Sequence, residues 1–157
     1  MQTSFTDKQL QDKDNKTSET IIRKCVHCGM CNATCPTYGI NGEELEGPRG
    51  RIYLIKDMLE NKKPATKEIA KHIDSCLSCY SCMTTCPSGV NYMHLIDHGR
   101  NYVEETYKRP FLDRLFRNIL SFVLPRPKAF LLMAWSSKIV KPFSFLFPKF
   151  LRNALNL

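Results

Sequence analysis

A chain of 157 residues has room for one ordinary domain with appendages. Its formal charge of +8 is lopsided, because residues 1–107 carry 13 Lys+Arg against 14 Asp+Glu while residues 108–157 carry 10 against the single Asp113. The basic excess therefore belongs to the tail and is no footprint of nucleic acid, and no uncharged apolar run nears the ~20 residues that span a bilayer.

Residues 1–20 are polar, with Phe5 and Leu10 as isolated exceptions, and predict a flexible leader. They hold no apolar signal region. With thiols kept reduced, the chain is expected in the cytoplasm.

Two cysteine runs of identical spacing follow: Cys25-x-x-Cys28-x-x-Cys31-x-x-x-Cys35-Pro36 and Cys76-x-x-Cys79-x-x-Cys82-x-x-x-Cys86-Pro87. They use all eight cysteines of the chain. Three cysteines at i, i+3 and i+6 let a short loop curl round a cubane, and where two such runs occur together the fourth ligates the other cluster. The predicted ligand sets are crossed: Cys25, Cys28, Cys31 and Cys86 for one 4Fe-4S cluster, and Cys76, Cys79, Cys82 and Cys35 for a second. Zinc is the weaker reading, since its sites take ligands in two separated pairs. A disulfide framework would need an oxidising compartment. Eight thiolates and two oxidised cubanes would together lower the charge from +8 to about +4.

Between the runs, Ile52, Ile55, Met58 and Leu59 share one helical face, and a shorter helix from Thr66 to Asp74 places Ile69 and Ile73 on one side. After the second run a helix from about Tyr92 to Tyr107 carries Met93, Ile96 and Val103 inward. The fold class is mainly α, an α-helical ferredoxin over residues 21–107, since helices rather than hairpins join the runs. Arg49 and Arg51, in GPRGR, read either as structural ion pairs or as groups acting on a carboxylate or a cluster. His27 is expected to hydrogen-bond and not to ligate. His94 and His98 share a helix face without a third ligand in sight. Ser88 and Gly89 are expected to offer N–H groups to cluster sulfur.

Residues 108–157 form a basic, aromatic, amphipathic helical tail. Phe111, Leu112, Leu115, Phe116, Ile119, Leu120, Val123 and Leu124 repeat at helical spacing opposite Arg114 and Arg117. Further apolar stretches run from Phe130 to Trp135 and from Phe143 to Phe150. Such a tail suits either an anionic membrane surface or packing under a further domain or subunit.

No Ser-His-Asp set, phosphate-binding glycine loop or unpaired cysteine nucleophile is visible, so the chain reads as an electron carrier with no catalytic site for an organic substrate. The segments CVHCG, CPTY, GPRGRIYLIK and CPSGV, within Cys25 to Arg100, closely resemble the N-terminal domain of the glycolate oxidase iron–sulfur subunit family. RPFLDRLFRNILSFVLPRP resembles that family's linker. The resemblance implies that the eight cysteines hold two 4Fe-4S clusters, that FAD-binding flavoprotein subunits oxidise glycolate to glyoxylate, and that this subunit relays electrons toward a membrane acceptor at the cytoplasmic face of the inner membrane. An iron–sulfur subunit of another quinone-linked dehydrogenase, for lactate or glycerol 3-phosphate, and a free ferredoxin-like carrier are the alternatives. The family's longer members continue into a region with CCG motifs, whereas no cysteine follows Cys86 here. A separate CCG-containing chain is therefore a further expected partner, if the sequence is not itself a fragment.

Overall fold

The computed structural model describes residues 1–140, with side chains through Trp135, so the apolar stretch expected over Phe143 to Phe150 lies outside the described residues. The described residues form helices and turns with no strand. By their contacts the residues fall into two compact units, Met1–Lys108 and the segment beginning at Arg109.

The first unit is built from α1 (Lys13–Lys24), α2 (Pro36–Asn41), α3 (Pro48–Asn61), α4 (Lys67–Asp74), α5 (Ser81–Thr85) and α6 (Tyr92–Thr106), with 3-10 turns at Gln9–Gln11, Met30–Asn32 and Glu44–Glu46. Helix α3 buries Ile52, Ile55, Met58 and Leu59, the face that the sequence predicts. Helix α4 is capped by the Thr66 hydroxyl, which accepts from the Ile69 N–H, and it buries Ala70 and Ile73. These side chains meet Leu95, Ile96 and Val103 of α6 in one core. Burying each such aliphatic group contributes roughly 1.5–3 kcal/mol.

Two expectations are corrected. Met93 does not point inward; it is 44% exposed. The inward stripe of α6 is Tyr92, Leu95, Gly99 and Val103, with Ile96 beside it, a 3-4-4 spacing that leaves Met93 one step off the face. The leader is not flexible over its whole length. Asp12 caps α1 by accepting from the N–H groups of Asp14 and Asn15 at 2.8 and 2.9 Å, a contribution of about 1 kcal/mol. Ser18, fully buried, meets His98 Nδ1 at 2.7 Å. The buried Gln9 amide donates to the carbonyls of Leu59 and Glu60 at 2.8 and 2.9 Å, closing the C-terminal end of α3. The leader's attachment is largely polar, which is why low apolar content concealed it.

Helices α3 and α6 cross closely because Gly99 lacks a side chain; a Cβ there would lie 2.8 Å from Ile55 Cγ1. Gly50 is more constrained still, since its Cβ would collide with the backbone of Glu44 and Leu45. That glycine lets the start of α3 rest on the 3-10 turn Glu44–Glu46, and so fixes where Arg49 and Arg51 emerge.

The second unit contains α7 (Phe111–Val123) and α8 (Pro127–Val140). Asp113 pairs with Arg109 at 3.4 Å and with Arg117 at 3.2 Å, and the Arg126 guanidinium lies 4.0 Å from the Phe122 ring centre. Phe111, Leu112, Phe116 and Phe122 are all more than half exposed. No described helix is long and apolar enough to cross a membrane.

Replacing Gly50 by Ala is expected to destabilise the first unit by about 1–3 kcal/mol, an overpacking cost. Gly39→Ala, on α2 with nothing near its Cβ position, should be neutral or stabilising by up to about 1 kcal/mol. Thermal unfolding of the anaerobically prepared protein compares the two.

Candidate metal centres

Each cysteine run curls in the same way. The second residue after its first cysteine takes a left-handed conformation, His27 at φ 60° and Ser78 at φ 51°; so does the fourth, Gly29 at φ 83° and Tyr80 at φ 57°. Only one of these is glycine. Non-glycine residues in this region cost free energy and persist where surrounding structure enforces them. The reward here is geometric: two left-handed steps turn three successive thiols toward one centre.

Two cavities result. One is lined by Cys25, Cys28, Cys31 and Cys86. The other is lined by Cys35, Cys76, Cys79 and Cys82, and Cys82 also reaches the wall of the first. Cys25 follows α1, Cys35 precedes α2, Cys76 follows α4 after one serine, and Cys86 ends α5. The helices between the runs thus carry the fourth thiol of each run to the other run's cavity. All eight thiols are free. Four convergent sulfurs per cavity are the donor set of a cubane cluster, so the residues fit that group.

At the two inner thiols, burial and crowding disfavour the charged form. Burial pushes the Cys31 thiol up to about 11, helped by charge on Cys25, Cys86 and Cys28. Burial likewise pushes Cys82 up to about 12, with Cys31, Cys76, Cys35 and Cys79 adding repulsion. Crowded sulfurs ionise together only around positive charge. Cys79 behaves oppositely: the backbone N–H and the hydroxyl of Ser81 hydrogen-bond its sulfur and lower its pKa.

A polar frame surrounds the cavities, and the sequence only half announces it. In E44-L-E46-G-P-R49-G-R51, two acids and two bases stand at equal spacing, and the structure pairs them in register. The Arg49 Nε donates to Glu44 at the surface, 2.5 Å away. The Arg51 Nη2 donates to the Glu46 carboxylate at 2.9 Å, with both side chains almost wholly buried, at 1% and 2% exposure. Arg51 also donates to the His72 carbonyl at 2.7 Å, the Ser75 hydroxyl at 3.0 Å and the Thr37 hydroxyl at 3.1 Å. His72 Nδ1 meets the other Glu46 oxygen at 2.7 Å, and Ser75 donates to Glu46 as well. Burial would raise the Glu46 pKa, but the Ser75 and His72 hydrogen bonds and the Arg51 charge together hold it below the usual value. Removing one member of such a buried pair costs about 3–5 kcal/mol.

Glu46, His72, Ser75, Thr37 and Tyr92 escape sequence reasoning, apart from the regular acid–base spacing that hints at Glu46. His27 turns its Nε2 toward the Arg49 carbonyl, 3.4 Å away. Gly89 donates its N–H to the Cys86 carbonyl at 3.2 Å. His94 and His98 lie with ring centres 6.1 Å apart, and His98 is held by Ser18.

Residues 21–90 match the 4Fe-4S dicluster domain family. The chain is 48% identical over 143 residues to the glycolate oxidase iron–sulfur subunit of Escherichia coli strain K12, covering 91% of this chain and 35% of that protein. It is 31% identical over 117 residues to the probable glycolate oxidase iron–sulfur subunit of Bacillus subtilis strain 168, covering 71% of this chain and 26% of that protein. A more distant likeness, 30% over 88 residues, links it to the mitochondrial succinate dehydrogenase iron–sulfur subunit of Candida glabrata, covering 52% of this chain and 35% of that protein. No solved structure matches. The chain spans about a third or less of the length of these curated relatives, at 35% and 26% of the first two. With its cysteine frame and these likenesses taken together, the chain is similar to the glycolate oxidase iron–sulfur subunits over most of its own length and matches the 4Fe-4S dicluster domain over residues 21–90.

Proposed function

We propose that this chain binds two 4Fe-4S clusters through crossed ligand sets and passes single electrons from a flavoprotein that oxidises glycolate toward a membrane acceptor. The observation that carries the reading is the pair of adjoining cavities, each offering three cysteines of one run and the last cysteine of the other. Bound there, the clusters would supply one-electron redox chemistry. The protein's own part is to hold eight thiolates in place, screen the inner ones from solvent and set the charge around them.

A two-electron substrate such as glycolate needs a flavin to divide its electrons before one-electron centres can take them. That division of labour supports FAD-binding subunits as partners, in keeping with the relatives' names. We take the exposed apolar face of α7 as a contact with a further domain or subunit of the complex, such as a CCG-containing chain, with an anionic membrane surface as the alternative cover. A cytoplasmic site, peripheral to the inner membrane, accords with this arrangement. The succinate dehydrogenase likeness keeps a second reading open, an iron–sulfur subunit serving another quinone-linked dehydrogenase.

Anaerobic purification should give a brown protein with roughly eight irons per chain. Crossed ligation has a specific signature in double variants. Cys25→Ser with Cys86→Ser removes ligands from one cluster and should leave roughly four irons, whereas Cys25→Ser with Cys35→Ser strikes both and should leave almost none. The reverse pattern would reject the crossing.

The substrate is tested on the co-purified complex. Glycolate should bleach the clusters' visible absorption through the flavoprotein; bleaching by lactate or glycerol 3-phosphate with no response to glycolate would select the second reading.

A further inference from the structure

The two cavities are alike in sulfur and unlike in what faces the sulfur. At the second, two of the four cysteines receive hydrogen-bond donors. Arg51 Nη1 points at Cys35 Sγ from 3.9 Å, and the same sulfur lies 3.2 Å from the Thr37 hydroxyl and 3.7 Å from the Glu46 carbonyl. The Tyr92 hydroxyl, on a side chain only 3% exposed, donates to Cys76 Sγ at 3.7 Å. At the first cavity the polar neighbour of Cys31 Sγ is Asn32 Oδ1, an acceptor, 3.9 Å away. Arg49 lines that cavity too, but its Nε is directed onto the Glu44 carboxylate, and the pair is substantially solvated.

Adding one electron to a cluster places one more negative charge inside its thiolate cage. Donors aimed at the sulfurs, and a guanidinium in a low-dielectric setting, stabilise that charge and raise the reduction potential. Burial makes the effect of Arg51 larger than that of a solvated arginine at the same distance. Glu46 offsets part of the guanidinium charge but bonds Nη2, while Nη1 is the nitrogen that faces Cys35. From this asymmetry we infer that the cluster held by Cys35, Cys76, Cys79 and Cys82 has the higher reduction potential of the two, and that Arg51 and Tyr92 are the positioning residues that set the difference. The first electron entering the chain would therefore settle at the second cavity. This ordering rests on the crossed ligand sets proposed above, and it assigns the cavity of Cys25, Cys28, Cys31 and Cys86 to the lower-potential member.

The test is an anaerobic redox titration of the loaded full-length protein, followed by electron paramagnetic resonance. The Cys25→Ser/Cys86→Ser variant identifies the signal of the second cavity, which should be the one with the higher midpoint. Tyr92→Phe removes a donor to sulfur with little change in packing, and it should lower that midpoint while leaving the other in place. Arg51→Gln combined with Glu46→Gln avoids a lone buried charge and should lower the same midpoint further. A tenfold change in the reduction equilibrium would appear as about 59 mV for a one-electron couple. If the surviving signal is the lower of the two, or if Tyr92→Phe moves neither midpoint or both alike, the inference is wrong. Should the Cys25→Ser/Cys86→Ser variant lose all its iron, the ligand sets themselves fail, and the ordering falls with them on the metal count before any potential is read.

Discussion

A loop of three thiols cannot complete a four-cornered cage, and that deficit organises the first unit. The missing corner of each cavity comes from the far end of the other run, so α3 and α4 must return the chain to within ligand reach of its own beginning. Their buried faces, Ile52, Ile55, Met58, Leu59, Ala70 and Ile73, form the core that makes this return favourable. Metal binding would thereby be coupled to folding, because the inner sulfurs, Cys31 and Cys82 above all, repel their neighbours as anions and are costly to ionise where burial shields them from water. The hydrophobic core brings the two runs together; the metal would remove the reason for them to separate.

The same geometry explains the ion pairs of the GPRGR turn. Gly50 lets the first turn of α3 settle on Glu44 and Leu45, and the two arginines then project one to each cavity wall. One remains at the surface with a solvated partner; the other is enclosed with Glu46, His72, Ser75 and Thr37. An interior arginine contributes little net stability in most proteins, since desolvation offsets the attraction. Its position beside Cys35 would give it a use that stability alone does not, if that thiol holds a cluster as proposed.

How much of this is legible in the sequence depends on the range of the interaction. The cysteine sets and the apolar face of α3 are visible because their information is local, in the spacing of thiols and the 3.6-residue period. The inward stripe of α6 is misjudged at Met93, since it stands three residues before the buried Ile96, the spacing of a shared face, while the stripe begins one residue earlier at Tyr92. The N-terminal helix is hidden for a different reason. Ser18, Gln9 and Asp12 secure it through hydrogen bonds whose partners, His98 and the end of α3, lie far along the chain. Glu46 and His72 are likewise ordinary polar residues until the fold closes round them. The basic amphipathic character of the tail is plain in the sequence, but periodicity shows a face and cannot show what covers it.

Pro48, Cys82 and Tyr92 line both cavities, so the partition between them is a single layer of side chains. Were both sites loaded as proposed, a wall that thin would make the pair one electrical conductor with two terminals. The step between terminals would be short whichever way current flowed, and Cys28 and Cys79, the exposed cysteines, would be the places for charge to enter and leave. Control of throughput would then pass to the docking of whatever lies at each end.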